Sequence, residues 1–118
     1  MGLERPVEAY ESVATWATGL RAQWGGDPLA EEPEKLEALA AFCEFDGRDP
    51  DELLAFCFLR RKQTGERFAS VKRREALVEQ LRAFRATSGL SGIEARRLTS
   101  NLLSFFIHNG VQIQAGMV

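Results

Sequence analysis

Arg96 and Arg97 share one stretch of chain with Ser91, Ser100, Ser104 and His108, a set of residue types suited to phosphate. Guanidinium groups offer paired N–H donors to phosphate oxygens and groove edges, and small hydroxyls add short donors beside them. At 100° per residue Arg96, Arg97, Ser100, Ser104 and His108 fall on one arc of a helix, with Leu98, Leu102, Phe105 and Phe106 opposite. The pattern also describes an ordinary solvated face. Two further cationic groups precede it. Arg67, Lys72 and Arg73 are expected at the start of a helix, where the dipole gives cations no benefit and a functional reason gains weight. Arg60, Arg61 and Lys62 are expected to end a helix, where the dipole is reason enough for them. Arg74 and Arg85 read as side chains lying over a core edge, while Glu75 and Glu79 neutralise part of the set.

Other chemistry is thinly represented. The chain has one histidine, His108, and one tyrosine, Tyr10, far apart in sequence and with Tyr10 on an apolar face. No Gly-rich phosphate loop, Ser–His–Asp set or metal-ligand spacing occurs, so neither a metal nor another cofactor is expected. Cys43 and Cys57 read as two reduced thiols on apolar helix faces. The chain is therefore not expected to be an enzyme by itself, nor to take a small-molecule substrate.

These side chains need a scaffold, and the periodicity predicts five helices and no convincing strand. The first starts after Pro6 and aligns Val7, Tyr10, Val13, Ala17, Leu20 and Trp24 before Gly25-Gly26-Asp27-Pro28 ends it. The second begins near Pro33 and buries Leu36, Leu39, Ala40 and Cys43, leaving Glu34, Glu37 and Glu44 outside. The third has Asp49 as N-cap, Pro50 at its first position and Glu52 completing a capping box. It continues as an all-round apolar run, Leu53 to Leu59, into Arg60-Arg61-Lys62 and a polar break at Gln63-Thr64-Gly65. The fourth covers about Ser70 to Thr87 and buries Val71, Leu77, Val78, Leu81 and Phe84. The fifth is the arginine-bearing helix, entered through Gly89, capped by Ser91 and closed by Asn109-Gly110. Val111-Gln112-Ile113 alternates like the start of a strand but is too short to count.

The segment Gly89-Leu90-Ser91 through Arg97-Leu98, Ser100, Ser104-Phe105-Phe106 and Asn109-Gly110-Val111 resembles the last helix of the N-terminal, SAM-like core-binding domain of tyrosine recombinases (phage integrases). Ala41-Phe42-Cys43-Glu44-Phe45-Asp46-Gly47-Arg48-Asp49-Pro50 through Leu54 is similar to a helix junction of that domain. Together the two cover roughly a third of the chain. The resemblance implies an all-α, SAM-like (integrase N-terminal-like) bundle of four to five helices over residues 1–113. Residues 114–118 would then be a tail where a catalytic domain follows in a full-length recombinase. It also implies double-stranded DNA as partner, clamped for site-specific recombination, with a possible homo-oligomer on DNA. By position it assigns DNA contact to Arg97 and Ser100 first, with Arg96, Ser91 and Ser104 beside them. One departure stands out. Where the family often has basic and hydroxyl residues at the start of its second helix, this chain has Ala30-Glu31-Glu32-Pro33-Glu34-Lys35-Leu36-Glu37, which repels phosphate.

The net charge of −2 conceals a polarity. Residues 1–59 carry four basic against thirteen acidic residues, a net of −9, and residues 60–118 carry eleven against four, a net of +7. Such halves either present a basic surface to nucleic acid or complement each other within the fold. With 118 residues and 45% hydrophobic content, one core suffices without disulfide or metal. No apolar run is long enough to span a membrane, and Met1-Gly2-Leu3-Glu4-Arg5-Pro6 lacks the start of a signal peptide. A cytoplasmic location is expected. The competing reading is a stand-alone helical protein–protein interaction module, favoured by Ile93 and Ile107 within the otherwise polar arc of the last helix. A basic strip joining Lys72, Arg73, Arg96 and Arg97 would argue for DNA, and a cluster of the two isoleucines for a protein partner.

Overall fold

A computed structural model describes residues 3–118, apart from the side chain of residue 115; the leader reading at Met1-Gly2 lies outside the described residues. Six α-helices and one two-stranded hairpin are present among them: α1 (Glu11–Trp24), α2 (Pro28–Glu31), α3 (Glu34–Asp46), α4 (Pro50–Cys57), β1 (Phe58–Arg60), β2 (Arg67–Ala69), α5 (Val71–Thr87) and α6 (Gly92–His108). Short 3-10 turns precede α1 (Val7–Ala9) and close the chain (Ala115–Met117). The mostly helical expectation holds, with one extra short helix and a hairpin that periodicity does not announce.

The first helix starts later than expected. Tyr10 is extended (φ −81°, ψ 142°), so the chain from Pro6 is a 3-10 turn and α1 begins at Glu11. Its free N-terminus is met from outside, since the Ser12 N–H donates to Asp51 Oδ1 at 2.9 Å. The inward side of α1 runs out before its last residue. Val13, Trp16 and Leu20 face inward, and Trp24, expected to join them, is 72% exposed. Tyr10 is nonetheless buried, as its apolar setting suggests.

Around α6 the other helices assemble. Its inner face carries Ala95, Thr99, Leu102, Phe105 and Phe106, and α1, α3 and α5 all pack against it. Trp16 sits edge-on to Phe105 (centroids 5.5 Å), which meets Phe106 in the same way (5.0 Å). Where α1 crosses α6, Gly19 leaves the space that the His108 imidazole occupies; any Cβ there would collide with the ring. Asn109 ties the same crossing, donating from Nδ2 to Ser12 O (3.1 Å) and Phe105 O (2.9 Å). On α3, Phe42 is fully buried against Phe84 of α5.

The α4 capping box forms as read. Asp49 Oδ1 accepts from the Glu52 N–H (2.8 Å), and Glu52 Oε1 accepts from the Asp49 N–H (3.0 Å). The helix then stops at Cys57 instead of running into the arginines. Phe58, Leu59 and Arg60 pair antiparallel with Ala69, Phe68 and Arg67. A ladder this short is marginal alone; here Arg67 stacks on Phe58 (3.7 Å to the centroid) and Arg61 on Phe68 (4.9 Å), and both cations help hold it shut. Two further expectations fail locally. Val71 is exposed because it opens α5, and Arg67 belongs to β2, not to the start of that helix.

After α6 the chain turns back along α5. Arg74 Nη1 donates to Gln112 O (3.4 Å), Arg82 Nε to Met117 O (2.7 Å) and Arg85 Nη1 to Val118 O (3.3 Å). Val111 and Ile113 are buried on the way, in a segment with no strand pairing. The order of these tethers fixes α5 and α6 as antiparallel.

Candidate nucleic-acid interface

The eight cationic and hydroxyl residues singled out from sequence separate into two places. Arg96, Arg97 and Ser100 lie on the outward side of α6, within an arc of roughly 100° that also holds Ile93, Ile107 and the half-buried Ser104. Ser91 stands at the N-cap position of that helix, extended and exposed, but its side chain makes no capping hydrogen bond, contrary to expectation. Gly92 adopts φ +60° just behind it, and Gly89 takes the left-handed conformation that ends α5 (φ +75°).

Arg67, Lys72 and Arg73 are elsewhere. Because α5 and α6 run antiparallel, the start of α5 lies beside the end of α6. Lys72 and Arg73 are thus about 18 Å along the axis from Arg96 and Arg97, at 1.5 Å per residue. The four do not form one continuous strip, the arrangement that would have argued for DNA. Ile93 and Ile107 do not cluster either, being fourteen positions apart on one helix and so about 21 Å apart along its axis.

Internal partners divide these residues further. Arg73 is turned inward, donating to Phe56 O (3.2 Å) with its guanidinium 4.7 Å from the Phe56 centroid. Arg67 stacks on Phe58. Ser104 accepts from the Trp16 indole N–H (3.0 Å), which the buried indole needs. Arg60 donates to Gly65 O at 2.9 Å. With Arg61 on Phe68 and the three tail tethers of α5, seven of the nine arginines in residues 60–118 have an internal contact. Arg96 and Arg97 have none among the described residues, and neither do Lys62 and Lys72. Ser100 is likewise exposed.

Beside this face the electrostatics change sign. Lys35 donates to Asn101 Oδ1 of α6 (3.0 Å), which puts the acidic start of α3, with Glu34 and Glu37 exposed, next to the middle of α6. The basic part of the face is therefore confined to its first two turns and bordered on the α3 side by carboxylate.

Away from α6 the polar network is structural. Arg48 grips Asp46 with two hydrogen bonds (2.6 and 3.0 Å), and Gln80 Nε2 adds a third (2.9 Å). Burial works to raise the Asp46 carboxyl, but these bonds and the Arg48 charge outweigh it and hold it below its ordinary value. The same partnership raises Arg48. Burial pushes the Cys43 thiol up to about 12, helped by Asp46, Asp49 and Glu52, and the Cys57 thiol up to about 11. Both cysteines are free and buried, hence poor nucleophiles at neutral pH. Among the described residues no three His, Cys, Asp or Glu side chains gather in a way that could hold a metal ion, and no helix is long and apolar enough to cross a membrane.

Two features escaped the sequence reading. The cations Arg60, Arg61 and Lys62 lie on the hairpin, so the helix dipole no longer accounts for them. A groove of about 360 Å³ runs between the end of α1 and the outer face of α6, with Trp24 and Gln23 on one side and Ser100 and Ile107 on the other. The sign in the sequence was Trp24 itself, at the last position of a helix already supplied with an apolar face.

Comparison with known proteins adds no further constraint: no family model, curated protein or solved structure matches the chain.

Proposed function

We propose that this chain is a non-catalytic helical module that binds double-stranded DNA through the outer face of α6. It would act as the SAM-like core-binding domain of a tyrosine recombinase or phage integrase does, clamping the duplex for recombination while a separate catalytic domain performs strand exchange. One observation carries the reading. Arg96 and Arg97 are the arginines of the second half that no internal partner engages among the described residues, and they sit with Ser100 on the face that the resemblance assigns to DNA. Phosphate is the ligand that such a pair fits, with Ser100 reaching a neighbouring oxygen. Homo-oligomers on DNA belong to the same proposal; a cofactor or small-molecule substrate does not.

Binding by two arginines would be weak in sequence preference and salt-sensitive, log K falling by about 0.9 per neutralised phosphate for each decade of salt. The test is fluorescence anisotropy of labelled random-sequence duplex at low and moderate salt, with Arg96→Glu/Arg97→Glu alongside. Salt-sensitive binding that the double variant loses, with the fold intact by circular dichroism, supports the proposal. A wild-type protein that binds no duplex at low salt sinks it. The second reading, a protein-interaction module, draws on Ile93 (67% exposed) and Ile107 (49% exposed); it gains if the folded protein ignores DNA.

A further inference from the structure

We propose that Trp24 is a stacking platform for an unpaired base, so that the module engages single-stranded or locally opened DNA as well as duplex. This deepens the DNA-binding reading and rests on it.

Trp24 leaves 72% of its surface exposed, and with it a large flat apolar ring that can stack. The core has its own tryptophan, since Trp16, two turns earlier on α1, is fully buried. Trp24 instead forms one wall of the groove against α6, and the composition of that groove argues for the occupant. Gln23, Ser100 and His108 interleave with Trp24, Leu103 and Ile107, giving an apolar slot rimmed by hydrogen-bonding groups, as a heterocyclic base requires. No carboxylate lines it, in a chain with seventeen of them. Ser100 on the groove wall is one turn from Arg96 and Arg97, whose Cβ atoms are about 5–6 Å away at that spacing. A base on Trp24 would therefore bring its flanking phosphates towards the two guanidinium groups. Stacking of this kind is tolerant of sequence and works only on a base free of its partner strand.

The protein's two tryptophans make the test direct, since Trp16 is sealed in the core and Trp24 is open to quenching. Wild-type protein and Trp24→Phe are titrated with oligothymidylate, following the solvent-exposed component of tryptophan emission. Trp24→Ala, Arg96→Glu/Arg97→Glu and wild type are then compared by anisotropy on labelled oligothymidylate and on duplex. Trp24 is on the surface, so its variants keep the fold. The expected result is quenching in wild type that is absent from Trp24→Phe. Alongside it, Trp24→Ala should lose about tenfold in affinity for the single strand but under about twofold for duplex. Equal affinity of Trp24→Ala and wild type for the single strand overturns the stacking proposal, and it leaves duplex binding standing if the arginine variant still fails on duplex. Absence of binding to either nucleic acid overturns both. A concentration-dependent dimer in sedimentation that Trp24→Ala abolishes, without quenching by oligothymidylate, overturns the stacking role and makes the groove a contact between copies.

Discussion

The last two helices invite comparison. Both are seventeen residues long, both carry arginines, and they lie side by side with opposite polarity. On α5 the arginines are engaged. Arg73 reaches back to Phe56, and Arg74, Arg82 and Arg85 each hold a backbone oxygen of the returning tail. On α6, Arg96 and Arg97 point to solvent. A sequence presents these residues as one basic half, but most of its positive charge has an architectural use and a small remainder is available to a ligand. Charge patterning in a chain thus becomes a statement about function only after internal partners have been subtracted.

Four experiments would break or sharpen that contrast. The largest effect is expected where α6 is seated. Trp16→Ala should cost about 3–5 kcal/mol of stability in urea unfolding, since it empties a fully buried aromatic site and orphans Ser104. A loss under ~1 kcal/mol would mean that α6 is held chiefly by α3 and α5. Next, Arg96→Glu/Arg97→Glu should weaken duplex binding about a hundredfold while changing the unfolding free energy by less than ~0.5 kcal/mol, as for exposed residues without partners. If stability fell instead, the face would be structural after all.

Asp46→Asn should cost about 2 kcal/mol, in the range for hydrogen bonds to a charged group, and should flatten the acid limb of the stability curve. The sign follows from the lowered carboxyl. Asp46 releases its proton more readily folded than unfolded, so its contribution is complete above the unfolded value near pH 4 and disappears as pH falls through the lower folded one. Thermal melts of both proteins across that window would show it; parallel curves would deny Asp46 the role. The smallest effect belongs to α5. Arg82→Ala/Arg85→Ala should cost about 1 kcal/mol through lost tail tethers and change duplex affinity less than about twofold. A large affinity loss there would erase the distinction between the two helices.

Much of this arrangement is legible from residue order. Asp49, Pro50 and Glu52 spell out a helix start that depends on nothing distant, and the apolar arc of α6 is strong enough to fix its buried side. Cys43 and Cys57 fall in the core because their neighbours at helical spacing are apolar. The failures are non-local. The N–H of Ser12 finds its partner in Asp51 of another helix, and Trp24, on the same side of α1 as Val13 and Leu20, is exposed at the helix's last position. The hairpin rests on three-residue strands whose pairing partners are seven to eleven positions away, a signal too brief for periodicity. Ser104 looked like a groove contact until the Trp16 indole, eighty-eight positions earlier, took its oxygen. The SAM-like identity and the DNA contacts rest on a resemblance and belong to experiment.

The hairpin has one more consequence, for how this protein could be taken apart. Its exposed turn, from Lys62 to Glu66, joins a piece holding α1 to α4 to a piece holding α5, α6 and the tail, and the core lies between them. Cut after Gln63, the first fragment has seven basic and thirteen acidic residues, a net of −6, and the second eight and four, a net of +4. Two fragments of opposite charge with a shared apolar interface are built to find each other: mixing them should restore the fold, fastest at low ionic strength and slower as salt screens the attraction. The chain is in that sense a split protein with its seam already placed.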